Sequence, residues 1–171
     1  GMVKGDFKVI FAEILRTLKA CGYRVKVRLL NAMFFGVPQS RERMIFIGVR
    51  EDIGREPSHP AGWSEPVSVR VAVAMATATG VPVGIRNPNF ENRWRSMDLP
   101  SCTIKKSRPP MLSFSDGSER GMMPAECQRI GSFPDAFRFV GNASKAVERI
   151  GNSVPPLLMR SIAAHVRALV T

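Results

Sequence analysis

The stretch that most constrains this chain is an Arg-x-Arg pair set between a broken loop and an unbroken apolar run. It reads Gly36-Val37-Pro38-Gln39-Ser40-Arg41-Glu42-Arg43, then Met44-Ile45-Phe46-Ile47-Gly48-Val49. Gly36 and Pro38 interrupt regular structure, so Gln39 and both arginines sit on a loop delivered by the strand that follows. Side chains alternate in extended backbone, which sends Arg41 and Arg43 to one side and Glu42 to the other. Two guanidinium forks on one face suit phosphate oxygens or a base edge. Taken alone, the pair fits equally well as solvated arginines or partners of Glu42 and Glu51, because motifs this short recur by chance.

The flanking residues give the loop a setting. Phe7, Ile10, Phe11, Ile14, Leu15 and Leu18 fall at helical spacing, with Asp6 as a candidate N-cap and Gly22 as the stop. Tyr23 to Leu29 then alternates strictly, as a half-exposed strand does. Met44 to Val49 is short and continuously apolar, the pattern of a strand covered on both faces. Helix, strand, loop and strand make a fragment of an α/β layer. One helix and two strands are too few for a whole doubly wound sheet.

From Arg50 to Pro66 the composition turns to Pro, Gly, Ser and charge, and the chain leaves that layer. Ser68 can cap a helix from Val69 to Ala78, although Val69, Val71 and Val73 also alternate as a strand would. Thr79 to Asn92 reads as loops or short strands. Arg93-Trp94-Arg95 through Lys105-Lys106 mixes cations with an aromatic, which suits phosphate contact and stacking, or equally a Trp half-buried under arginine stems. Ser107 to Gly121 is polar, with a turn at Asp116-Gly117. Pro124 suits the first turn of a helix through Ile130, and Asn142 caps another over Ala143 to Ile150, with Gly151 ending it. Pro155 and Pro156 open a last helix whose Leu158, Ile162, Val166 and Leu169 form one stripe.

Charge narrows the partners. Twenty-five Lys and Arg against 14 Asp and Glu give a net +11 over 171 residues, which favours a polyanion. Cys21, Cys102 and Cys127 have no C-x-x-C spacing and leave an odd thiol, so neither a disulfide framework nor a metal site is expected, and a reducing cytoplasm fits. No apolar run reaches the length of a membrane span, and no membrane partner is expected.

Leu29-Leu30-Asn31-Ala32-Met33-Phe34-Phe35 and the Gly36 to Arg43 loop together resemble the Gln-x-Arg-x-Arg block of the DNA (cytosine-5) methyltransferases. Gly151-Asn152-Ser153-Val154-Pro155-Pro156 resembles that family's terminal block, in the right order. Leu99-Pro100-Ser101-Cys102-Thr103-Ile104 is similar to its D-x-P-x-x-T-I element. Ala125 to Phe137 is similar to its RExxRLQgFPDdF block, with Met123 where a capping Thr is usual. The resemblance implies an α/β fold: an incomplete Rossmann-like, S-adenosylmethionine-dependent catalytic layer plus a small mixed, basic target-recognition domain. It divides the chain into 2–54 (catalytic strands), 55–141 (DNA-contacting) and 142–171 (helices returning to the catalytic domain).

By the same resemblance, Gln39 and Arg41 organise the loop and its phosphate contacts, and Arg43 reaches O2 of a flipped cytosine. Asn152, Ser153 and Val154 line the S-adenosylmethionine pocket. Arg93, Arg95, Lys105 and Lys106 contact double-stranded DNA. The family's nucleophilic Pro-Cys, its Glu-Asn-Val and its Gly-rich cofactor loop are absent from this sequence, and no cysteine follows a proline. The expectation is therefore the C-terminal portion of a methyltransferase, inactive alone, from a truncated or split enzyme whose N-terminal half is its partner. An uncovered strand edge and helix face would then favour self-association. The stretch free to vary, about Gly80 to Asn92, is short for a sequence reader. A stand-alone DNA-binding module and a decayed remnant remain open alternatives.

Overall fold

The computed structural model describes residues 7–73, 82–88 and 93–171. Asp6, and the end of the helix expected to reach Ala78, lie outside them. Internal contacts divide the chain into two compact units. One holds residues 7–30, 44–61 and 162–171, the other 31–43, 62–73, 82–88 and 93–161. The units are interleaved in sequence, whereas the three segments 2–54, 55–141 and 142–171 are consecutive. The loop between the first two strands belongs with the second unit.

In the first unit, helix α1 (Phe7–Ala20) ends before Gly22, which takes the left-handed φ of 77° that a residue without Cβ adopts freely. Strands β1 (Tyr23–Asn31) and β2 (Glu42–Arg50) pair as a two-stranded sheet. The N–H of Glu51 donates to the carbonyl of Gly22, so the start of β1 meets the end of β2 and the strands run antiparallel. Val25 and Val27 are half-buried while Arg24, Lys26 and Arg28 are exposed, as the alternation predicts. The expectation that Met44 to Val49 is covered on both faces is corrected. Only Ile47 and Val49 are buried, because this sheet has no third strand among the described residues.

The same shortage of cover is seen on α1. Phe11 packs its ring 5.5 Å from that of Phe46, yet Val9 is 71 % exposed, Ile10 49 % and Ile14 37 %. The segment after β2 is fastened by side chains. His59 Nε2 meets the carbonyl of Ile45 at 2.9 Å, and Ser58 Oγ meets His165 Nε2 at the same distance.

The second unit is built on a four-stranded antiparallel sheet of order β4-β3-β5-β6, from β3 (Pro82–Arg86), β4 (Arg95–Ser96), β5 (Met111–Phe114) and β6 (Glu119–Gly121). The β5–β6 hairpin turns at Asp116-Gly117 as expected, with Gly117 at φ 83° and Asp116 Oδ1 accepting the Ser118 N–H at 2.9 Å. That bond and the Ser118 hydroxyl hold the Asp116 carboxyl below the usual range. Both strands, of four and three residues, are too short to show a period of their own.

Helices α2 (Val69–Val73), α3 (Pro124–Ile130) and α4 (Ala143–Asn152) supply the rest of the core, where Val69, Ile130, Val147 and Ile150 close over Ile85 and Leu112. Ser68 caps α2 through the Val71 N–H at 3.3 Å, and Asn142 caps α4 through that of Lys145 at 3.0 Å. Glu126, fully buried, accepts the Met123 N–H at the start of α3 and two bonds from Arg120 at 2.7 and 2.8 Å. Gly151 was expected to end α4 but lies inside it, and Ser153 is the C-cap. Helix α5 (Pro156–Val170) opens at the proline pair, with Leu158 and Ile162 buried on the expected stripe.

Candidate functional site

The paired-arginine loop leaves β1 through a 3₁₀ turn at Ala32–Phe35 and turns back at Gly36, which has φ 76°. Asn31 closes its neck. The Asn31 Oδ1 accepts the N–H of Met33 at 3.2 Å and of Arg41 at 3.1 Å, while its Nδ2 donates to Ser40 Oγ. The N–H of Ala32 donates to the Arg41 carbonyl across the same neck.

The outer side of the loop lies along residues 101–104. The Ser40 N–H donates to the Ser101 carbonyl at 2.8 Å, the Ser101 N–H to that of Pro38 at 3.0 Å, and Thr103 Oγ1 to that of Ser40 at 2.8 Å. Gln39 Oε1 accepts the Ile104 N–H at 3.4 Å. Two segments far apart in sequence are thus zipped together by backbone and amide, with Gln39 only 2 % exposed.

Arg41 is also 2 % exposed, and its guanidinium has no carboxylate partner. Nη1 donates to the Ile104 carbonyl at 3.1 Å, and Nη2 to those of Gly151 at 2.7 Å and Ser153 at 3.0 Å. Two of these acceptors stand at the end of α4, where unpaired carbonyls carry partial negative charge. Burial, and then the nearby Arg43 charge, lower its pKa to about 10, which leaves it a cation at neutral pH. The fork is an internal strut joining the loop, the 101–104 segment and the 151–153 block. Three of its donor hydrogens are spent inside the fold and Nε is buried without a partner, while the Gln39 amide oxygen is engaged as well.

Arg43, two residues on and on the same side of the chain, is half-buried and donates from Nη1 to the Glu42 carbonyl at 2.7 Å. Burial lowers its pKa as well. Glu42 is exposed, as the alternation predicts.

The Lys105-Lys106 backbone crosses α4 directly over Gly151. A Cβ built there would lie 2.6 Å from the Lys105 carbonyl carbon and 2.7 Å from the Lys106 nitrogen. This contact explains a glycine inside a helix. At the crossing Lys105 is half-buried and Lys106 exposed. Asn152 is exposed, Val154 is 36 % exposed, and Ser153 is half-buried with its hydroxyl donated to the Ile150 carbonyl. Arg93 and Arg95, with Trp94, Ser96 and Leu99, line a groove of about 540 Å³ on the sheet of the second unit. The Arg86 guanidinium sits 4.8 Å from the Trp94 ring centre.

The model of C-5 cytosine-specific DNA methylases matches residues 1–71 and 86–168 of this chain. The chain belongs to that family. It is 33 % identical to the Type II methyltransferase M.BspRI of Lysinibacillus sphaericus, over 97 % of this chain and 48 % of that protein. To M.AplI of Arthrospira platensis it is 28 % identical, over 91 % of this chain and 51 % of the other. It spans about half the length of these curated relatives. A prophage-encoded E. coli protein described as a DNA modification methyltransferase superposes with a TM-score of 0.76 at 17 % identity, covering 99 % of this chain and 67 % of that one. The Dnmt2 methyltransferase of S. pombe gives 0.66 at 15 %, over 98 % and 64 %. These likenesses establish the fold as an incomplete methyltransferase α/β architecture with small sheets.

Family membership makes S-adenosylmethionine the relevant cofactor. Asn152 presents a free-standing amide and Val154 an apolar surface, while the Ser153 hydroxyl and carbonyl are already engaged.

Two of the three thiols are shut away from solvent. Cys102 and Cys127 are buried, and burial pushes Cys127 up to about 12. A thiol titration of the folded chain with an aromatic disulfide is expected to label Cys21 alone, with Cys102 and Cys127 reacting only in denaturant. Fast labelling of all three would contradict the packing. Sequence alone marks Asn31 only as a lead-in and gives no sign of Trp63 or of the ion pair between half-buried Arg120 and buried Glu126. An Asn at a strand end, followed by a Gly-Pro loop, was the available sign for the first.

Among the described residues no helix is long and apolar enough to cross a membrane.

Proposed function

We propose that this chain is the C-terminal portion of an S-adenosylmethionine-dependent DNA cytosine-5 methyltransferase. On this reading it supplies one wall of the flipped-cytosine and cofactor pockets and part of the surface for double-stranded DNA. The Arg41 strut carries the reading, because it ties the Gln-x-Arg-x-Arg loop to the Gly-Asn-Ser-Val block at hydrogen-bond distance.

Cytosine C5 is a poor nucleophile until a thiolate adds at C6, and the target base must leave the duplex for this to happen. The thiolate and an acid near N3 come from a second polypeptide segment bearing Pro-Cys and Glu-Asn-Val. When bound, the cofactor supplies the methyl group. Arg43 donates toward O2 of the base and stabilises the negative charge that develops on the ring as the thiolate adds. Gln39 and Arg41 hold the loop that aims Arg43. Asn152 and Val154 line one edge of the cofactor. Lys105, Lys106, Arg93 and Arg95 contact DNA phosphates, a term that weakens with salt.

Incubated alone with labelled S-adenosylmethionine and cytosine-containing duplex, the chain is expected to transfer no label. Robust transfer would overturn this division of roles. A stand-alone DNA-binding module is the second reading, favoured by the net +11 charge and the Arg93–Arg95 groove. It would give salt-sensitive duplex binding with no gain from a partner.

On this reading the N-terminal half of the catalytic layer covers the face of α1 that carries the exposed Val9, Ile10 and Ile14. Until that cover is present, the chain is expected to self-associate at high concentration. A strictly monomeric species in sedimentation would count against it.

A further inference from the structure

Trp63 belongs to none of the motif blocks, yet the second unit places it on the turn that opens the paired-arginine loop. Its N–H and that of Ser64 both donate to the Phe34 carbonyl, at 3.0 and 3.2 Å. Phe34 is the penultimate residue of the 3₁₀ turn leading into Gly36. A Cβ at Gly62 would fall 2.8 Å from Phe34 Cβ, so the strap carrying Trp63 lies directly on that turn. The indole then covers Gly36, where a Cβ would meet Cη2 of the ring at 2.9 Å. At its other end, the indole Nε1 donates to Ser161 Oγ at 3.0 Å, and that hydroxyl donates to the Leu157 carbonyl one turn back in α5.

A side chain so fastened would ordinarily be core, but Trp63 is 64 % exposed. Its ring buries too little surface to be an important source of global stability. What it does restrict is a left-handed glycine, the residue type with the widest backbone freedom. The loop is therefore held at two places. Asn31 and Arg41 close its neck, and Trp63 presses on its opening bend.

We propose that Trp63 is a positioning residue for the paired-arginine loop, acting through Gly36 and anchored by Ser161. The use made of the loop rests on the methyltransferase reading, whereas the positioning can be measured without any methyl transfer.

The test is amide hydrogen exchange on the whole chain, comparing peptides over 36–41 with peptides over the 111–121 hairpin. The Ser40 amide, bonded to Ser101, reports loop order, and the hairpin reports the fold of the unit. Trp63→Ala is expected to speed exchange over 36–41 by about tenfold or more, with the hairpin unchanged, because local opening is separable from global unfolding. Ser161→Ala should give a smaller rise, and Trp63→Phe, which keeps a ring over Gly36, should restore part of the protection. Unchanged exchange over 36–41 in both Trp63→Ala and Ser161→Ala would overturn the proposal. So would acceleration of loop and hairpin in step. Should Trp63→Ala fail to fold, the proposal is overturned as stated, since it assigns the ring little global weight, and Ser161→Ala would show whether the anchor still matters.

Discussion

Arg41→Ala is expected to lower the stability of the chain by about 3–5 kcal/mol, the largest effect of any single polar substitution here. Truncation leaves the carbonyls of Ile104, Gly151 and Ser153 without the donor they now share. A buried acceptor left unpaired costs roughly 1–3 kcal/mol, and three are affected together. Part of that loss is returned, because the substitution also removes a buried cation whose desolvation is itself unfavourable, as its lowered pKa records. For a domain of this size the shift in melting temperature should be on the order of 10 °C. Arg41→Lys should recover only a minority of the loss, since one ammonium on a flexible stem cannot reach three acceptors spread around a planar fork. Thermal unfolding followed by circular dichroism checks both variants. An alanine variant within about 1 kcal/mol of the parent would mean that the strut does not hold these blocks together.

Gly151→Ala is the second large effect, and here two arguments predict opposite signs. Inside a helix, exchanging Gly for Ala should stabilise by about 1 kcal/mol. The crossing chain reverses this. The new Cβ would stand 2.6 Å from the Lys105 carbonyl carbon, 2.7 Å from the Lys106 nitrogen and 2.9 Å from the Lys105 oxygen. All three are backbone atoms, so no side chain can swing aside. Overpacking of this kind costs about 1–3 kcal/mol and sometimes more. The net expectation is a loss of about 2 kcal/mol, with the Lys105-Lys106 segment pushed off α4. A neutral or stabilised variant in the same unfolding assay would contradict the close crossing.

These two residues also show where sequence reasoning succeeds and where it stops. The alternation of Arg41, Glu42 and Arg43 follows from backbone geometry alone, and the structure keeps it. Which arginine turns inward could not be read, because that depends on carbonyls at Ile104, Gly151 and Ser153, far along the chain. Gly151 carries a strong stop signal for a helix, and only the Lys105-Lys106 segment laid across it reveals a spacing requirement instead. The helix starts at Pro124, Asn142 and Pro156 were legible because capping is a local matter, whereas after Ser68 helix and strand both fitted. Strands β5 and β6 were not. They are four and three residues long, too short to show a period, and they become strands only by pairing with β3 and with each other. Trp63 escaped notice for the same reason, its role lying entirely in contacts with Phe34, Gly36 and Ser161.

The proposed reading makes this chain one wall of a methyltransferase site whose other wall carries the Pro-Cys, Glu-Asn-Val and Gly-rich elements. Its most direct test mixes the purified chain with the N-terminal portion of a family member that carries the Pro-Cys, Glu-Asn-Val and Gly-rich elements. Labelled S-adenosylmethionine and a cytosine-containing duplex are then added, and each component is run alone beside the mixture. Labelled 5-methylcytosine is expected in the mixture only, and is lost when Arg43→Ala replaces the parent chain. Transfer by this chain alone, or transfer by the mixture that is indifferent to Arg43, would contradict it.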